Sequence, residues 1–245
     1  MTINWLEADW PAPIFIKAGT TLRDGGESGA PYDSFNLATH VGDELAAVHQ
    51  NRARLIQSLA LPSEPHWLEQ THSTTAVLLP SENRILKADA VYTSKTNVVC
   101  AVMTADCLPL LITDKAGSCI AAIHAGWRGL CDCIIEATIK KLSVEPESLL
   151  VWLGPAIGAD VYEVGKEVYD AFIVSDPKAK QAFTATTEKH WLLDLYYMAR
   201  LRLNNIGVNQ IYGGTHCTHS EEEQFFSYRR DGVTGRMASL IWINK

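Results

Sequence analysis

The chain has 245 residues and a formal net charge of −7 at neutral pH. This acidic balance excludes a broad nucleic-acid-binding surface, which needs clustered lysine and arginine, but it leaves open a local basic pocket for a small anion. No basic and apolar leader begins the chain, and no apolar run is long enough to span a bilayer. We therefore expect a cytoplasmic protein that contacts neither membrane nor nucleic acid.

The sequence is predicted to fold as one domain over residues 1–245, because no low-complexity stretch and no linker rich in proline, glycine and serine divides it. Segments with the periodicity of strands and of helices are mixed without a strict βαβ rhythm. This pattern predicts the α+β class, with mixed β-sheets flanked by helices. Of the six cysteines, four are expected to be reduced core residues: Cys100, Cys119, Cys131 and Cys133.

Apolar runs predict the elements of the first half of the chain. Strands are expected over residues 14–18, once or twice within 67–79, and over 98–104, 108–113 and 118–123. Helices are expected over 43–59 and 128–142, where apolar residues recur at helical spacing.

The second half of the chain is predicted to continue the mixed pattern. Strands are expected over residues 149–153, 208–212, 225–228 and 237–243. A helix is expected over 165–172, and another ends at Asn205. Asp194 is the expected N-cap of that second helix, and Gly207 lies just past its end.

Polar residues concentrate where several of these apolar segments end. Cys107 lies beside Asp106 in a break between two apolar runs, where a thiolate ligand or nucleophile would be well placed. His72 and His124 each lie beside an expected strand end as well. One thiolate and two imidazoles suit Zn²⁺ and leave a fourth position for water or substrate. The spacing of these residues matches no short zinc motif, so from spacing alone the zinc site is a hypothesis.

Two further segments indicate binding of an anion. After His124, small residues and the free N–H groups of the next helix can form a phosphate site together with Arg128. Arg229, Arg230 and Arg236 lie close together in the sequence beside aromatic residues, a composition that suits an anionic or aromatic ligand.

The remaining histidines are not predicted to belong to the zinc site. The segment His216-Cys217-Thr218-His219 resembles a metal motif, but a polar turn is the preferred interpretation. The others have no partner pattern and are expected to be structural or solvent-facing: His40, His49, His66 and His190.

The segments that carry these residues resemble the YfiH-type laccase-domain family. They read LEQTHS, TADCLPLL, AAIHAGWRG, WLGPAIG with YEVG, and FFSYRRDGVTGR. Members of the family are also called polyphenol oxidases or peptidoglycan editing factors and are now regarded as purine nucleoside phosphorylases. The resemblance extends over nearly the whole chain, including YDSFNLATHVGD near its beginning.

The resemblance implies a phosphorylase that acts on adenosine, inosine and methylthioadenosine with phosphate, with accompanying adenosine deaminase activity. It implies zinc, or alternatively copper, bound by His72, Cys107 and His124. Positions that match the family motifs are expected to line the pocket: Asn36, Gln70, Asp106, Arg128 and Arg229. We expect Arg128, helped by Arg229 or Arg230, to bind phosphate, and Asp106 to carry a proton in deamination. The protein is expected to be a monomer or a homodimer.

Three alternatives remain. A true multicopper laccase needs a large set of histidine ligands, whereas this chain has eight histidines and no His-x-His pair. Copper in a single site of this kind could still give incidental oxidase activity. A cysteine hydrolase that edits peptidoglycan precursors would use Cys107 as its nucleophile and His124 or His72 as its base. A nucleoside-binding module would bind without turnover.

Overall fold

The structure is a computed structural model that describes residues 3–83 and 86–244. Residues 1, 2 and 245, at the ends of the predicted domain, lie outside this range. Within it, the chain forms mixed β-sheets flanked by helices, so the predicted α+β class is confirmed. No helix in the described part of the chain combines the length and the apolar composition needed to cross a membrane.

The described residues form fifteen strands and six α-helices. The strands are β1 Trp5–Glu7, β2 Ile16–Thr21, β3 Leu68–Glu69, β4 Ala76–Leu78, β5 Leu86–Lys87, β6 Ala90–Thr93, β7 Val99–Thr104, β8 Leu108–Asp114, β9 Ile120–Ala125, β10 Leu149–Leu153, β11 Glu163–Gly165, β12 Phe183–Ala185, β13 His190–Leu193, β14 Gln210–Gly213 and β15 Met237–Ile243. The helices are α1 Leu45–Ser58, α2 Trp127–Cys131, α3 Ile134–Ile139, α4 Lys166–Ser175, α5 Leu195–Asn205 and α6 Tyr228–Asp231.

Two large sheets dominate the fold. One has four antiparallel strands in the order β1-β2-β15-β7. The other has six strands in the order β14-β10-β8-β9-β6-β4, and its two outer pairs, β10 with β14 and β4 with β6, are parallel. Two smaller sheets, β11-β13-β12 and β3-β5, complete the described strands.

The two large sheets pack on each other, and helices cover their outer faces. Leu108, Leu110 and Ile112 of β8 pack in one core with residues of α2 to α5. Leu111 lies between them in sequence and packs instead in the core shared with the four-stranded sheet. Successive side chains of a strand point to opposite faces, so a strand buried on both faces reads as a continuous apolar run. This is why β7, β8 and β9 could be predicted from the sequence.

The expected helix over 128–142 is wrong as a single element. The structure has two short helices, α2 and α3, separated at Asp132 and Cys133. Cys133 has a left-handed backbone with φ of 70°. The buried Arg202 donates hydrogen bonds to the Cys131 carbonyl at 3.3 Å and to the Cys133 sulfur at 3.6 Å. These tertiary contacts stabilise the break, whereas the apolar periodicity continues through it.

The expected strand over 225–228 is also wrong. Phe225 and Phe226 are fully buried, but no β-ladder includes them, and the Phe226 N–H donates to the Met237 sulfur at 3.1 Å. The Ser227 hydroxyl accepts a hydrogen bond from the Arg230 N–H at 3.2 Å and caps α6. Aromatic residues favour strands, but here a capping serine begins a helix.

The expectations for α5 are confirmed. The Asp194 carboxylate accepts a hydrogen bond from the Tyr197 N–H at 2.8 Å, which satisfies one of the free donors at the start of the helix. Gly207 follows the end of the helix with a φ of 91°, a conformation that glycine adopts without a steric penalty.

Candidate metal centre and its cavity

Three distant segments of the chain meet at one edge of the six-stranded sheet. The antiparallel pairing of β8 with β9 places Leu108 opposite Ala125 and Pro109 opposite His124. Cys107, directly before β8, therefore lies beside the end of β9. His72 comes from the loop after β3. The ligand atoms of His72, Cys107 and His124 all lie within 4.8 Å of one another.

The spacing of these side chains fits a metal ion. The Cys107 sulfur lies 3.8 Å from Nε2 of His72, and the His72 and His124 ring centroids are 4.8 Å apart. A tetrahedral zinc site, with bonds of about 2.3 Å to sulfur and about 2.0 Å to nitrogen, separates those atoms by about 3.5 Å. Within the described residues, this trio is the one group of His, Cys, Asp and Glu side chains spaced to hold a metal.

Gly126 leaves the room that the three ligands need. A Cβ atom at this position would lie 2.7 Å from Cδ2 of His72 and 3.0 Å from the Cys107 sulfur. The first distance is well below van der Waals contact, so a larger residue would displace the His72 ring. The glycine after His124 thus has a packing role at the centre itself.

Asp89 holds two of the ligands and was missed in the sequence. Its fully buried carboxylate lies 2.8 Å from Nδ1 of His124 and accepts the backbone N–H of His72 at 2.9 Å and of Ser73 at 2.6 Å. The contact with Nδ1 directs Nε2 of His124 towards the cluster. Burial would raise the pKa of Asp89, but the hydrogen bonds, led by that from His124, hold it well below its usual range. The sequence did carry a signal for this role, since Asp89 lies between two alanines in an apolar segment. An aspartate in such a segment is expected to be buried, and a buried aspartate needs partners.

The backbone is strained at two positions of the centre. His72 has a φ of 59° and Asp106 a φ of 90°, values that few residues other than glycine adopt. The hydrogen bonds from the His72 and Ser73 N–H groups to Asp89 stabilise the first of these conformations. Such strain concentrates at functional sites, where surrounding contacts maintain it.

The electrostatics favour a deprotonated thiol at Cys107. Burial alone would raise the pKa of this thiol, but the neighbouring His124 and His72 lower it to about 6. Burial would lower the pKa of His124, whereas Cys107 and Asp89 raise it to about 9. A metal takes the thiolate as its ligand, and a nucleophile is also the thiolate, so this shift suits both chemistries.

A cavity of about 400 Å³ opens at the three ligands. Its other lining residues come from five separate places in the chain: His40, Gln70, Met103, Thr104, Ala105, Tyr228 and Arg236. Gln70 is the predicted substrate residue that does line it. The Gln70 side-chain amide donates to the Met103 carbonyl and accepts from the Met103 N–H, both at 2.7 Å, which fixes its position in the wall.

Four predicted substrate residues do not line this cavity, and two of them, Asn36 and Arg230, bond to nearby loops instead. Asn36 is fully buried, and its amide bonds the backbone of Ala38 and the Arg236 N–H. The Arg230 guanidinium donates to the carbonyls of Thr218, His219 and Phe225 and pairs with Asp231. Both side chains stabilise loops, and neither presents a free group to the cavity.

The remaining predicted residues, Asp106, Arg128 and Arg229, lie outside the cavity wall. The Arg128 guanidinium lies over the Trp127 ring at 4.3 Å, and that of Arg229 lies over the Tyr162 ring at 5.0 Å. Both arginines are exposed. The Asp106 carboxylate accepts hydrogen bonds at both oxygens, from the Thr218 hydroxyl at 2.7 Å and the Arg229 N–H at 2.6 Å.

Sequence reasoning missed three residues of the cavity wall. His40 is exposed, as expected, and it also lines the cavity, where partial burial, followed by the charge of Arg236, lowers its pKa. Arg236 was expected only as one of three arginines in a segment suited to an anionic or aromatic ligand, without a place in the pocket. Tyr228 begins α6 and is 60% exposed at the cavity mouth.

The segment around Cys217 forms a polar turn. The Glu221 carboxylate lies 2.8 Å from Nδ1 of His216 and accepts the Cys217 N–H at 2.6 Å. The N–H groups of Ser220 and Glu221 donate to the Cys217 carbonyl, so the segment has the hydrogen bonds of a polar turn, which is the preferred interpretation. All six cysteines are free thiols in the structure, and Cys100 and Cys119 are buried as expected. Cys131 and Cys133 are half-buried at the helix break.

Comparison with known proteins identifies the family. Residues 17–244 match the protein family described as multi-copper polyphenol oxidoreductase laccase. The chain belongs to this family. A Haemophilus influenzae relative, named purine nucleoside phosphorylase, is 53% identical over 239 residues, which cover 97% of this chain and 98% of the relative. Escherichia coli YfiH, also named purine nucleoside phosphorylase, is 51% identical over 235 residues, which cover 96% of each chain.

Solved structures of family members share the fold. A crystal structure of a Neisseria meningitidis protein is similar with a TM-score of 0.94 and 48% identity, covering 99% of this chain and 100% of that one. The crystal structure of YlmD from Geobacillus stearothermophilus gives 0.90 and 32% identity, covering 98% of this chain and 96% of that one. The predicted YfiH-type relationship is thereby confirmed.

Proposed function

We propose that this protein is a zinc-dependent purine nucleoside phosphorylase that acts on adenosine, inosine and methylthioadenosine. The observation that carries the proposal is the convergence of His72, Cys107 and His124 at the base of a cavity of about 400 Å³. That volume accommodates a nucleoside-sized ligand. Relatives that match this chain over almost their whole length are named purine nucleoside phosphorylases, which supports the reaction.

Phosphorolysis requires the site to bind two substrates and to exclude water. The bond between C1′ of the sugar and the purine nitrogen breaks, an oxygen of phosphate bonds to C1′, and the departing base takes up a proton. Positive charge grows on the sugar and negative charge on the base, so positioning of the anion and of the base dominates the rate. A bound zinc ion would supply Lewis-acid polarisation of a substrate atom beside Cys107.

The chain's own residues hold this arrangement rigid. Asp89 orients His124 and fixes the His72 loop, and Gln70 is held by both backbone groups of Met103. Because these contacts are made within the protein itself, they need no substrate, and they preorganise the wall of the cavity. Asp106 acts as a positioning residue, since both of its oxygens already accept hydrogen bonds.

The proposal includes adenosine deaminase activity at the same centre. In this reaction the amino group of the purine leaves as ammonia and an oxygen from water takes its place. The same ligands and the same cavity serve both reactions, because each needs a purine held beside the centre. Both activities should therefore depend on Cys107.

The test combines metal analysis with product analysis on one preparation. We expect about one zinc per chain and phosphate-dependent release of adenine and ribose-1-phosphate from adenosine. Cys107→Ser should remove the metal and both activities, while Cys217→Ser, in a polar turn outside the centre, should keep them. Release of adenine without phosphate, or full activity of Cys107→Ser, would contradict the proposal.

A cysteine hydrolase is the second candidate function. The observation that favours it is the lowered pKa of Cys107 beside two histidines. It predicts that metal-free protein turns over substrate and that alkylation of Cys107 stops turnover. A protein that is active only when it carries metal excludes this candidate. Oxidase activity on phenols would need copper in the same trio, since the described residues contain one metal-ligand group.

A further inference from the structure

Arg236 is the one arginine that lines the cavity at the candidate metal centre, within the part of the chain that the structure describes. Its Nη1 donates to the carbonyls of Thr234 at 2.8 Å and Gly235 at 3.0 Å. Its backbone N–H donates to the buried side chain of Asn36 at 2.9 Å. The guanidinium is thus held in place by its own loop and by a second segment near the chain's beginning.

The charge of Arg236 is not neutralised by a salt bridge. Among the described residues no carboxylate forms an ion pair with Arg236, and its Nε and Nη2 make no hydrogen bond. Burial lowers the pKa of Arg236, while the nearby charges of Cys107 and Asp106 oppose that shift. A partly buried guanidinium whose donors lack protein acceptors is unfavourable, and a bound oxyanion accepting from Nε and Nη2 would relieve that cost.

His40 adds a second donor to the same cavity. Burial and the charge of Arg236 both lower its pKa, so its imidazole is neutral in the free protein and carries one N–H. Tyr228 lines the same mouth, with its ring 5.8 Å from the Arg236 guanidinium. The side chains of Arg236, His40 and Tyr228 all offer hydrogen-bond donors to this cavity, and no carboxylate residue lines it.

We propose that Arg236, assisted by His40, binds the phosphate co-substrate within the cavity. This inference rests on the proposed phosphorylase function and names the residues that would position its anion. It replaces the sequence-based assignment of phosphate to Arg128, Arg229 and Arg230.

The three arginines predicted from the sequence are less suited to this role. Arg230 is committed to three carbonyls and to Asp231. Arg229 donates to the Glu163 carbonyl at 2.9 Å and lies over Tyr162, and Arg128 lies over Trp127. Neither Arg128 nor Arg229 lines the cavity. Phosphate must reach C1′ of the sugar in the cavity that also holds the nucleoside. Arg236 lines that cavity and is therefore better placed to bind phosphate than Arg128, Arg229 or Arg230.

The test measures phosphate binding separately from turnover. Zinc-loaded wild type is titrated with inorganic phosphate by calorimetry, and so are the variants Arg236→Gln, Arg236→Lys, His40→Gln, Arg128→Gln and Arg229→Gln. The matched control is Arg54→Gln, because Arg54 is an arginine of α1 that pairs with Glu27 and does not line the cavity. Metal content and the melting temperature of each variant show that the centre and the fold are retained.

We expect Arg236→Gln to weaken phosphate binding by about tenfold to a hundredfold, the usual effect of losing hydrogen bonds to a charged group. Arg236→Lys should weaken phosphate binding to an intermediate extent, because lysine keeps the charge but cannot form the bidentate hydrogen bonds of a guanidinium. His40→Gln should give a smaller loss, and Arg54→Gln none. In turnover assays the KM for phosphate should rise in Arg236→Gln while the KM for the nucleoside changes little.

Each contrary result has a distinct meaning. Unchanged phosphate affinity in Arg236→Gln, or a loss confined to Arg128→Gln or Arg229→Gln, overturns the assignment to Arg236. Loss of phosphate binding in Arg236→Gln, in a protein whose wild type never releases a purine base, supports the anion site and overturns the phosphorylase function instead.

Discussion

At the scale of single residues, the candidate centre depends on Asp89 as well as on the three ligands. One carboxylate orients His124 through Nδ1 and anchors the loop that carries His72. Partners of this kind fix the ring orientation and increase the basicity of the ligand. The residue is invisible to a search for metal motifs, because it has no ligand role and lies in a strand-like apolar segment.

Asp89→Asn should reduce zinc affinity by about tenfold to a hundredfold, the range measured when such partners are replaced. The amide keeps the shape of the side chain but loses the negative charge, and its NH₂ group cannot accept the N–H donor of either His72 or Ser73, whichever faced the oxygen it replaces. Competition with a chromophoric chelator measures the affinity. The control is Asp9→Asn, because Asp9 is an exposed carboxylate distant in sequence from Asp89. Equal zinc affinities in the two variants would show that Asp89 does not support the metal centre.

The residue scale also shows which part of the site was predictable. His72, Cys107 and His124 lie in recognisable motifs at strand ends, and the structure brings them together. Arg236 could not be distinguished from its neighbours Arg229 and Arg230 in the sequence. Their directions depend on α6 and on the loop after it, and the sequence analysis had predicted a strand at the start of that segment.

At the scale of elements, strands buried on both faces and capped helices were predictable from local sequence. The apolar runs of β7, β8, β9, β10 and β15 and the cap of α5 carry their own signals. The break between α2 and α3 was not predictable, because Arg202, distant in the sequence, stabilises it through Cys131 and Cys133. Short strands such as β11 to β13 pair only with one another and give little periodic signal.

The cap of α5 supports a prediction about stability. Asp194→Ala should lower the free energy of unfolding by about 1 kcal/mol, because the Tyr197 N–H loses its acceptor at the helix start. Urea denaturation followed by circular dichroism measures the change. Asp160→Ala, at an exposed aspartate outside any helix, should change the free energy by much less; a similar loss in both variants would show that the cap contributes nothing specific.

At the scale of the whole molecule, we propose that the chain folds as one cooperative domain, since its main core residues connect both large sheets and the helices around them. The location in the cytoplasm and a monomeric or dimeric state stay predictions. Metal bound only by the folded state should add to its stability.

Calorimetry should therefore show one unfolding transition, at a higher temperature with zinc than after chelation. Metal at about one hundred times its dissociation constant adds about 2.7 kcal/mol. For a chain of this length that corresponds to a rise of about 5 to 10 °C. Cys107→Ser should show no zinc-dependent rise, and two separate transitions in wild type would contradict the single domain.

The two contacts of Asp89, with the His72 N–H and with Nδ1 of His124, also affect how the centre binds its metal. Because the carboxylate already joins the His72 loop to the end of β9, two of the ligands are confined before an ion arrives. These segments therefore lose little conformational entropy when the metal binds, and we expect association without a slow rearrangement of the backbone. A folded molecule could then take up a metal that the cell supplies at that time, so the metal bound would depend on supply after folding as well as during it.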